Sequence, residues 1–266
     1  MPLRTSEAFV IDVRKMGEAD RLVTFFTEDE GKVSGVAASA ARSRRRFGGR
    51  LERLSRVRVT YFEKEGRDLA RIDSCDLLEE SFTLHQDLDV AATLSYVAEV
   101  VDTFVHEREA DAKYFRLLRS VMAAVRAGVD PALLARYFET WTLRLHGLMP
   151  DLDRCSACGR SSADSGLRVR TGGMPEALCG GCSRPGARVA DENAAGPGRS
   201  VKLSRAALGL LDRFRRLAPS DLPGAAPERG TLSEVETFAV AMLTAFVGHE
   251  FRSYKFLREI QKVSAP

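Results

Sequence analysis

An α+β multidomain chain, with an N-terminal OB-fold β-barrel, an α-helical domain behind it and an inserted four-cysteine zinc-ribbon-like site, is what three features of the sequence predict. The first 80 residues hold five short β-prone runs separated by turns and one long loop, which suits a small closed or half-closed barrel, with an SH3-like barrel as the nearest competitor. From Glu80 the apolar residues shift to three- and four-residue spacing, the period of packed helices. Two CxxC pairs then interrupt that pattern. The predicted division is 1–80 for the barrel, 81–150 and 191–266 for two parts of the helical domain, and 151–190 for the cysteine insertion. A chain of 266 residues is long enough for two or three domains.

The barrel runs are Ala8–Val13, Arg21–Thr27, Lys32–Ala37, Ser55–Glu63 and Asp68–Cys75. The fourth alternates, with Val57, Val59 and Tyr61 on one face and Arg56, Arg58, Thr60 and Phe62 on the other. Leu88–His106 and Asp111–Ala127 read as amphipathic helices. Asp130 followed by Pro131 is a cap with proline at the first helical position, opening a helix whose stripe is Leu134, Phe138, Trp141, Leu145 and Leu148. A core role suits that stripe. Helices resume at Ser204, a Pro/Gly linker covers 219–230, and Thr231 to Glu234 has capping-box spacing before Val235–Val247. The last helix, Phe251–Ile260, is basic and amphipathic.

Composition excludes several classes. With 44% hydrophobic and 29% charged residues, the composition suits an ordinary soluble globular chain rather than a disordered or membrane one. No apolar run approaches the roughly 18 to 20 residues of a spanning helix, and the opening MPLRTSEAFVIDVRK has no leader-like apolar core. A cytoplasmic protein without membrane attachment is expected. There is no glycine-rich phosphate loop, dinucleotide fingerprint, HExxH or GxSxG. His85, His106, His146 and His249 are scattered on helical segments, and Asp151 and Asp153 read better as caps than as a Mg²⁺-binding pair. No catalytic residue is therefore predicted, and the chain reads as a binder.

Cys155, Cys158, Cys179 and Cys182 form two knuckles at zinc-ribbon separation. A two-residue gap lets both thiolates of a knuckle reach one tetrahedral ion, and Gly159, Gly180 and Gly181 permit the tight turns. Four thiolates fill the shell of one structural Zn²⁺ and leave no position for a catalytic water. Disulfides are disfavoured without a secretion signal. Cys75 stands alone and reads as a small buried hydrophobe.

The net charge of +3 conceals an uneven distribution. Residues 32–58 carry nine basic groups against Glu52, whereas the rest of residues 1–80 is acidic. Such segregation suits a polyanion docking in one orientation. Arg42, Arg44, Arg45, Arg46 and Arg50 lie in the long loop and run on into Arg56 and Arg58 of the next strand. Phe47 is either a base stacker or a loop anchor. A solvated charge run is the bland alternative, and a lipid surface is weaker because the segment lacks an apolar face. No base-reading motif accompanies the arginines, so binding should be salt-sensitive and sequence-independent.

Taken in order, VIDVRKMGEADRLVTFFTEDEGKVSGVA, SRRRFGGRLERLSRVRVTYFE, YFETWTLRLHGLMPDLDRCSACG and HEFRSYKFLREI resemble the bacterial DNA repair and recombination mediator family RecO across nearly the whole chain. The resemblance implies a non-enzymatic mediator that binds single- and double-stranded DNA and anneals complementary strands. It also implies association with RecR, contact with the C-terminal tail of single-strand-binding protein (SSB), and help for RecA in loading. By position it assigns the basic surface to Lys32, Arg42, Arg44, Arg45, Arg46, Arg50, Arg56 and Arg58, and zinc to the four cysteines. Some members of the family lack those ligands. A zinc-ribbon adaptor acting through protein contacts alone is the competing reading.

Overall fold

Five strands form where the β-prone runs predict them. The computed structural model describes residues 3–63, 66, 68–162, 166–171, 174–183, 200–222 and 227–263, without the side chains of Arg44 and Arg45. Strands β1 (Leu3–Met16), β2 (Asp20–Thr27), β3 (Gly31–Ala37), β4 (Arg56–Phe62) and β5 (Ala70–Glu79) close in the order β1-β2-β3-β5-β4, with β4 returning to β1. This is an OB-like barrel. β1 is longer than its β-prone centre because it serves two partners: Leu3 to Phe9 pair with β4 and Ala8 to Met16 with β2, across an irregularity between Val10 and Asp12. All pairings are antiparallel except β3 with β5.

Alternation fills the barrel. Val57, Val59 and Tyr61 point inward as their spacing predicts, meeting Val10, Val23, Phe25, Val33, Ile72 and Cys75, all essentially buried. Gly35 permits the parallel pairing, because a Cβ there would lie 2.5 Å from Ile72 Cδ1 and 2.7 Å from the Ala70 carbonyl oxygen. Burial pushes the Cys75 thiol up to about 12, so it is an inert core residue.

The chain divides into two compact units, Met1–Arg116 with Phe251–Pro266, and Leu117–Glu250. In the first, Phe9 and Phe26 of the barrel meet Phe115 at 5.2 and 5.3 Å between ring centroids. Helix α2 (Leu88–Phe104) packs Tyr96 against Phe251 and Tyr254, the latter on the last helix, α7 (Arg252–Val263). Glu99 of α2 accepts from the backbone N–H groups of Arg252 and Ser253 at 2.9 and 2.7 Å, satisfying the α7 N-terminus. The C-terminal helix thus groups with the barrel and α2, not with the preceding helices. A short helical turn, α1 (Arg44–Phe47), lies inside the long loop.

Helix α3 (Ala112–Arg126) leads into the second unit, where α4 (Pro131–Leu145) starts as predicted, with Asp130 accepting from Leu133 N at 2.7 Å. Leu134 and Phe138 are fully buried, and Trp141 donates from Nε1 to the Phe214 carbonyl at 2.9 Å. Strands β6 (Leu167–Arg170), β7 (Glu176–Cys179) and β8 (Ser200–Leu203) make a three-stranded sheet in the order β7-β6-β8. The cysteine sheet therefore extends past residue 190 to recruit β8. Helices α5 (Arg205–Arg216) and α6 (Arg229–Val247) follow.

One sequence expectation fails in α6. The helix begins at Arg229, so Thr231 is not a cap, and Glu234 instead accepts from the backbone N–H of Ser204 at 2.7 Å, serving the start of α5. At 19 residues α6 is also long and apolar enough, by length and composition, to cross a membrane. Its Glu236 nevertheless reaches Arg136 Nη1 at 3.0 Å, within a buried group completed by Arg136 Nη2 to Glu139 at 2.8 Å. That ion triad gave no sequence signal, because Arg136 and Glu139 fall on an amphipathic helix where exposed charges are the norm.

Candidate nucleic-acid interface and metal centre

The loop between β3 and β4 has a defined shape. Ser39 (φ 58°) and Leu54 (φ 62°) adopt left-handed backbone near its two ends, a conformation that costs non-glycine residues energy unless their surroundings hold it. Those surroundings are visible: Ser39 N donates to Asp20 Oδ1 at 2.7 Å, Ala41 N to the Ala19 carbonyl at 2.9 Å, and Leu54 N to the Val10 carbonyl at 2.7 Å. Phe47 is only 2% exposed and joins the barrel core with Leu51 packed beside it. As placed, Phe47 takes the anchor role of the two the sequence leaves open, rather than that of an exposed base stacker.

The arginines divide by what holds them. Arg46 donates Nη2 to the Ala38 carbonyl at 2.8 Å and lies over the Phe47 ring, 5.0 Å from its centroid. Arg50 donates Nη1 to the Cys75 carbonyl at 2.8 Å. Arg56 pairs with Glu79 and reaches Glu7 at 2.6 Å. Burial works against the Arg56 charge, but Glu79 and Glu7 outweigh it and raise its pKa above the ordinary value. Lys32 pairs with Asp102 at 3.0 Å and also meets the Asp102 carbonyl. By contrast, Arg42 is 74% exposed with Glu18 only at 3.9 Å, and Arg58 is half exposed, 3.5 Å from Glu7. Arg44 and Arg45 sit on α1, and their side chains lie outside the described residues.

Charge crowded in sequence is thus partly interleaved with acid in space. The β1–β4 and β4–β5 registers set Glu7 opposite Arg58 and Glu79 opposite Arg56, so those two strand arginines form a charge ladder on the barrel wall. The same fold brings in cations that lay outside the crowded segment. Arg14, paired with Asp12 at 2.6 Å, and Lys15 are exposed near the β1–β2 turn, which contacts the loop through Ala19 and Asp20; Arg53, from within the segment, also reaches Asp12 at 3.1 Å. A groove of about 300 Å³ between that hairpin and the loop is lined by Arg21, Ala41, Gly48, Gly49 and Glu52 among others.

The four predicted ligands come together. The Sγ atoms of Cys155, Cys158, Cys179 and Cys182 all lie within 4.8 Å of one another, an arrangement that could hold a metal ion. Knuckle geometry supplies sulfur acceptors with donors: Cys179 N points to Cys155 Sγ at 3.3 Å. Burial pushes the Cys155 thiol up, but N–H donors from Cys179, Cys158 and Ala157 prevail and draw it down to about 6. Hydrogen bonds to Cys158 and Cys179 hold the Cys182 thiol up at about 12. Such neighbours resist ionising together, and a soft dication binding four thiolates removes the conflict, so this donor set fits a tetrahedral thiolate-bound metal. Asp151 and Asp153 do not join the cluster; Asp151 Oδ1 accepts from Asp153 N at 2.8 Å, a local turn.

Fold and site together define a class: OB-like barrel proteins with a basic loop, a helical body and a cysteine centre able to hold a metal ion. Comparison with known proteins narrows it. Family profiles described as "Recombination protein O N terminal" and "Recombination protein O C terminal" match residues 1–81 and 85–255. The chain is 34% identical over 247 residues to the DNA repair protein RecO of Anaeromyxobacter dehalogenans (strain 2CP-C), covering 92% of this chain and 91% of that protein. To the RecO of Geobacter sulfurreducens it is 35% identical over 259 residues, covering 97% and 98%. A shorter match to the RecO of Koribacter versatilis is 44% identical over 162 residues, covering 61% of this chain and 66% of that protein. The chain belongs to the RecO family of DNA repair proteins.

Proposed function

We propose that this chain is a non-enzymatic recombination mediator that binds DNA through its phosphate backbone, anneals complementary strands and, with RecR, helps RecA replace SSB on single strands. The observation that carries the reading is the anchored basic loop: Phe47 and the two left-handed residues hold Arg42, and the turn bearing Arg44 and Arg45, beside the β1–β2 hairpin with its exposed Arg14 and Lys15. Its contact set is Arg42, Arg44 and Arg45 with Arg53, Arg58, Arg14 and Lys15. Lys32, Arg46, Arg50 and Arg56 support the framework.

Annealing follows from electrostatics. Two strands repel through their phosphates, and a protein that neutralises both without covering the pairing edges lowers the barrier to pairing. Neutralising about five phosphates predicts a log K versus log salt slope near −3.5 on single strands. The resemblance supports RecR, the SSB tail and RecA as partners, and a cytoplasmic, nucleoid-associated setting. One structural Zn²⁺ held by Cys155, Cys158, Cys179 and Cys182 would fix the ribbon fold, and nothing in the DNA chemistry needs to pass through it.

Fluorescence anisotropy with labelled single-stranded DNA across a salt series tests the reading. R42A/R44A/R45A should weaken binding and flatten the slope by roughly 2. Wild-type affinity in that variant overturns the loop assignment, and failure of the wild-type protein to bind at low salt favours the adaptor reading.

A further inference from the structure

The three-stranded sheet beside the cysteine cluster carries its own basic surface. Leu167, Val169, Val201 and Leu203 turn inward and are buried, which sends Arg168 and Lys202 outward together. The register sets these two cations directly opposite each other across β6 and β8, a pairing that repels at the short distance between cross-strand neighbours. Arg160, from the first knuckle, faces the same groove of about 440 Å³, whose lining also includes Gly180, Gly181 and Ser183 and, among the described residues, no carboxylate. Among the described residues, none of the three cations has an acidic partner; the one side-chain bond is Arg168 Nη1 to Ser200 Oγ at 3.3 Å. Arg170, two residues along, shows the alternative, since it has Glu176 at 3.6 Å.

Like charges kept opposite one another without a counter-charge lower stability unless an anion offsets them. We propose that the groove of Arg160, Arg168 and Lys202 is a second phosphate-contact surface for polynucleotide, separate from the barrel loop. The inference rests on the DNA-binding reading above and deepens it, because annealing needs places for two strands.

One rival use of these cations is local: a dication with four thiolates has a net charge of about −2, which nearby arginines could balance. The experiment separates the two. R160Q/R168Q/K202Q is titrated with labelled single-stranded DNA from 50 to 400 mM salt, with zinc content and circular dichroism measured alongside. Expected are wild-type zinc and fold, a slope flatter by roughly 2, and affinity at least about tenfold weaker at low salt. R160K/R168K should keep the slope, and R168Q alone should flatten it by about 0.7, which covers the case in which the triple variant misfolds. Unchanged affinity and slope overturn the proposal, as does zinc loss without a slope change. R42A/R44A/R45A run in parallel keeps the readings apart. Loss only in the ribbon variant sinks the barrel assignment and upholds this one, whereas loss only in the barrel variant does the reverse.

Discussion

Residues 32–58 hold nine cations, yet at least four of them are bound to carboxylates and carbonyls of the barrel and α2: Lys32 to Asp102, Arg46 to Ala38, Arg50 to Cys75 and Arg56 to Glu79. The ribbon groove holds three, and all three lack an acidic partner among the described residues. The denser sequence thus has the smaller available fraction. A long charged loop must be held in place, and the strongest groups for doing so are its own guanidiniums, whose planar fork suits carbonyls and carboxylates. A four-residue strand in a small sheet fixes its side chains through backbone pairing and leaves them for other uses. Counting arginines measures potential in the first case and site in the second.

The largest break in that comparison is metal removal. Chelation should unfold the ribbon, because structural zinc sites in small domains supply about 10 kcal/mol or more of folding free energy. Loss of β6–β8 amide protection in hydrogen exchange, with barrel amides unchanged, is the expected pattern. Protection that survives chelation across the ribbon would show that its sheet stands without the metal. Next comes Phe47→Ala, which removes the loop's anchor and should cost about 3 to 5 kcal/mol of barrel stability in urea melts. Its salt slope for DNA should nevertheless stay near wild type, because the ring is buried and the cations remain. A flattened slope would return Phe47 to the contact set.

How much of this was legible in the sequence follows the physics of each signal. Alternation gave the faces of β4, because side-chain period and burial are tied by the pleat; CxxC spacing gave the metal cluster, because chelate geometry is local. The pairing partners of Arg56 and Arg50 were not legible, since Glu79, Glu7 and the Cys75 carbonyl arrive through strand register. Glu234 looked like a capping-box residue and caps a different helix, a case of tertiary contact overriding a local motif. Arg168 and Lys202 were missed because LRVR lay in a Gly- and Ser-rich region that read as irregular, although its own alternation was the available clue.

The smallest effect is on the alkaline side and belongs to the barrel alone. Tyr61 is buried, and its hydroxyl donates to Glu30 Oε2 at 3.1 Å, beside Arg4, Glu63 and Arg108. Burial first, and then the Glu30 charge, push its pKa up to about 12 from an ordinary 10.0. A raised folded-state pKa means the neutral phenol is the favoured form, so its contribution is fully present below about pH 10 and is lost as pH rises through about 12. Solvent screening of the surrounding charges reduces the linked effect to about 1 kcal/mol or less. In urea melts, the wild-type barrel should lose more stability between pH 9 and pH 11.5 than Tyr61→Phe, which starts lower for want of its hydrogen bond and has no phenol to ionise. Equal pH dependence in the two proteins would place the alkaline transition on other groups and leave Tyr61 as packing alone.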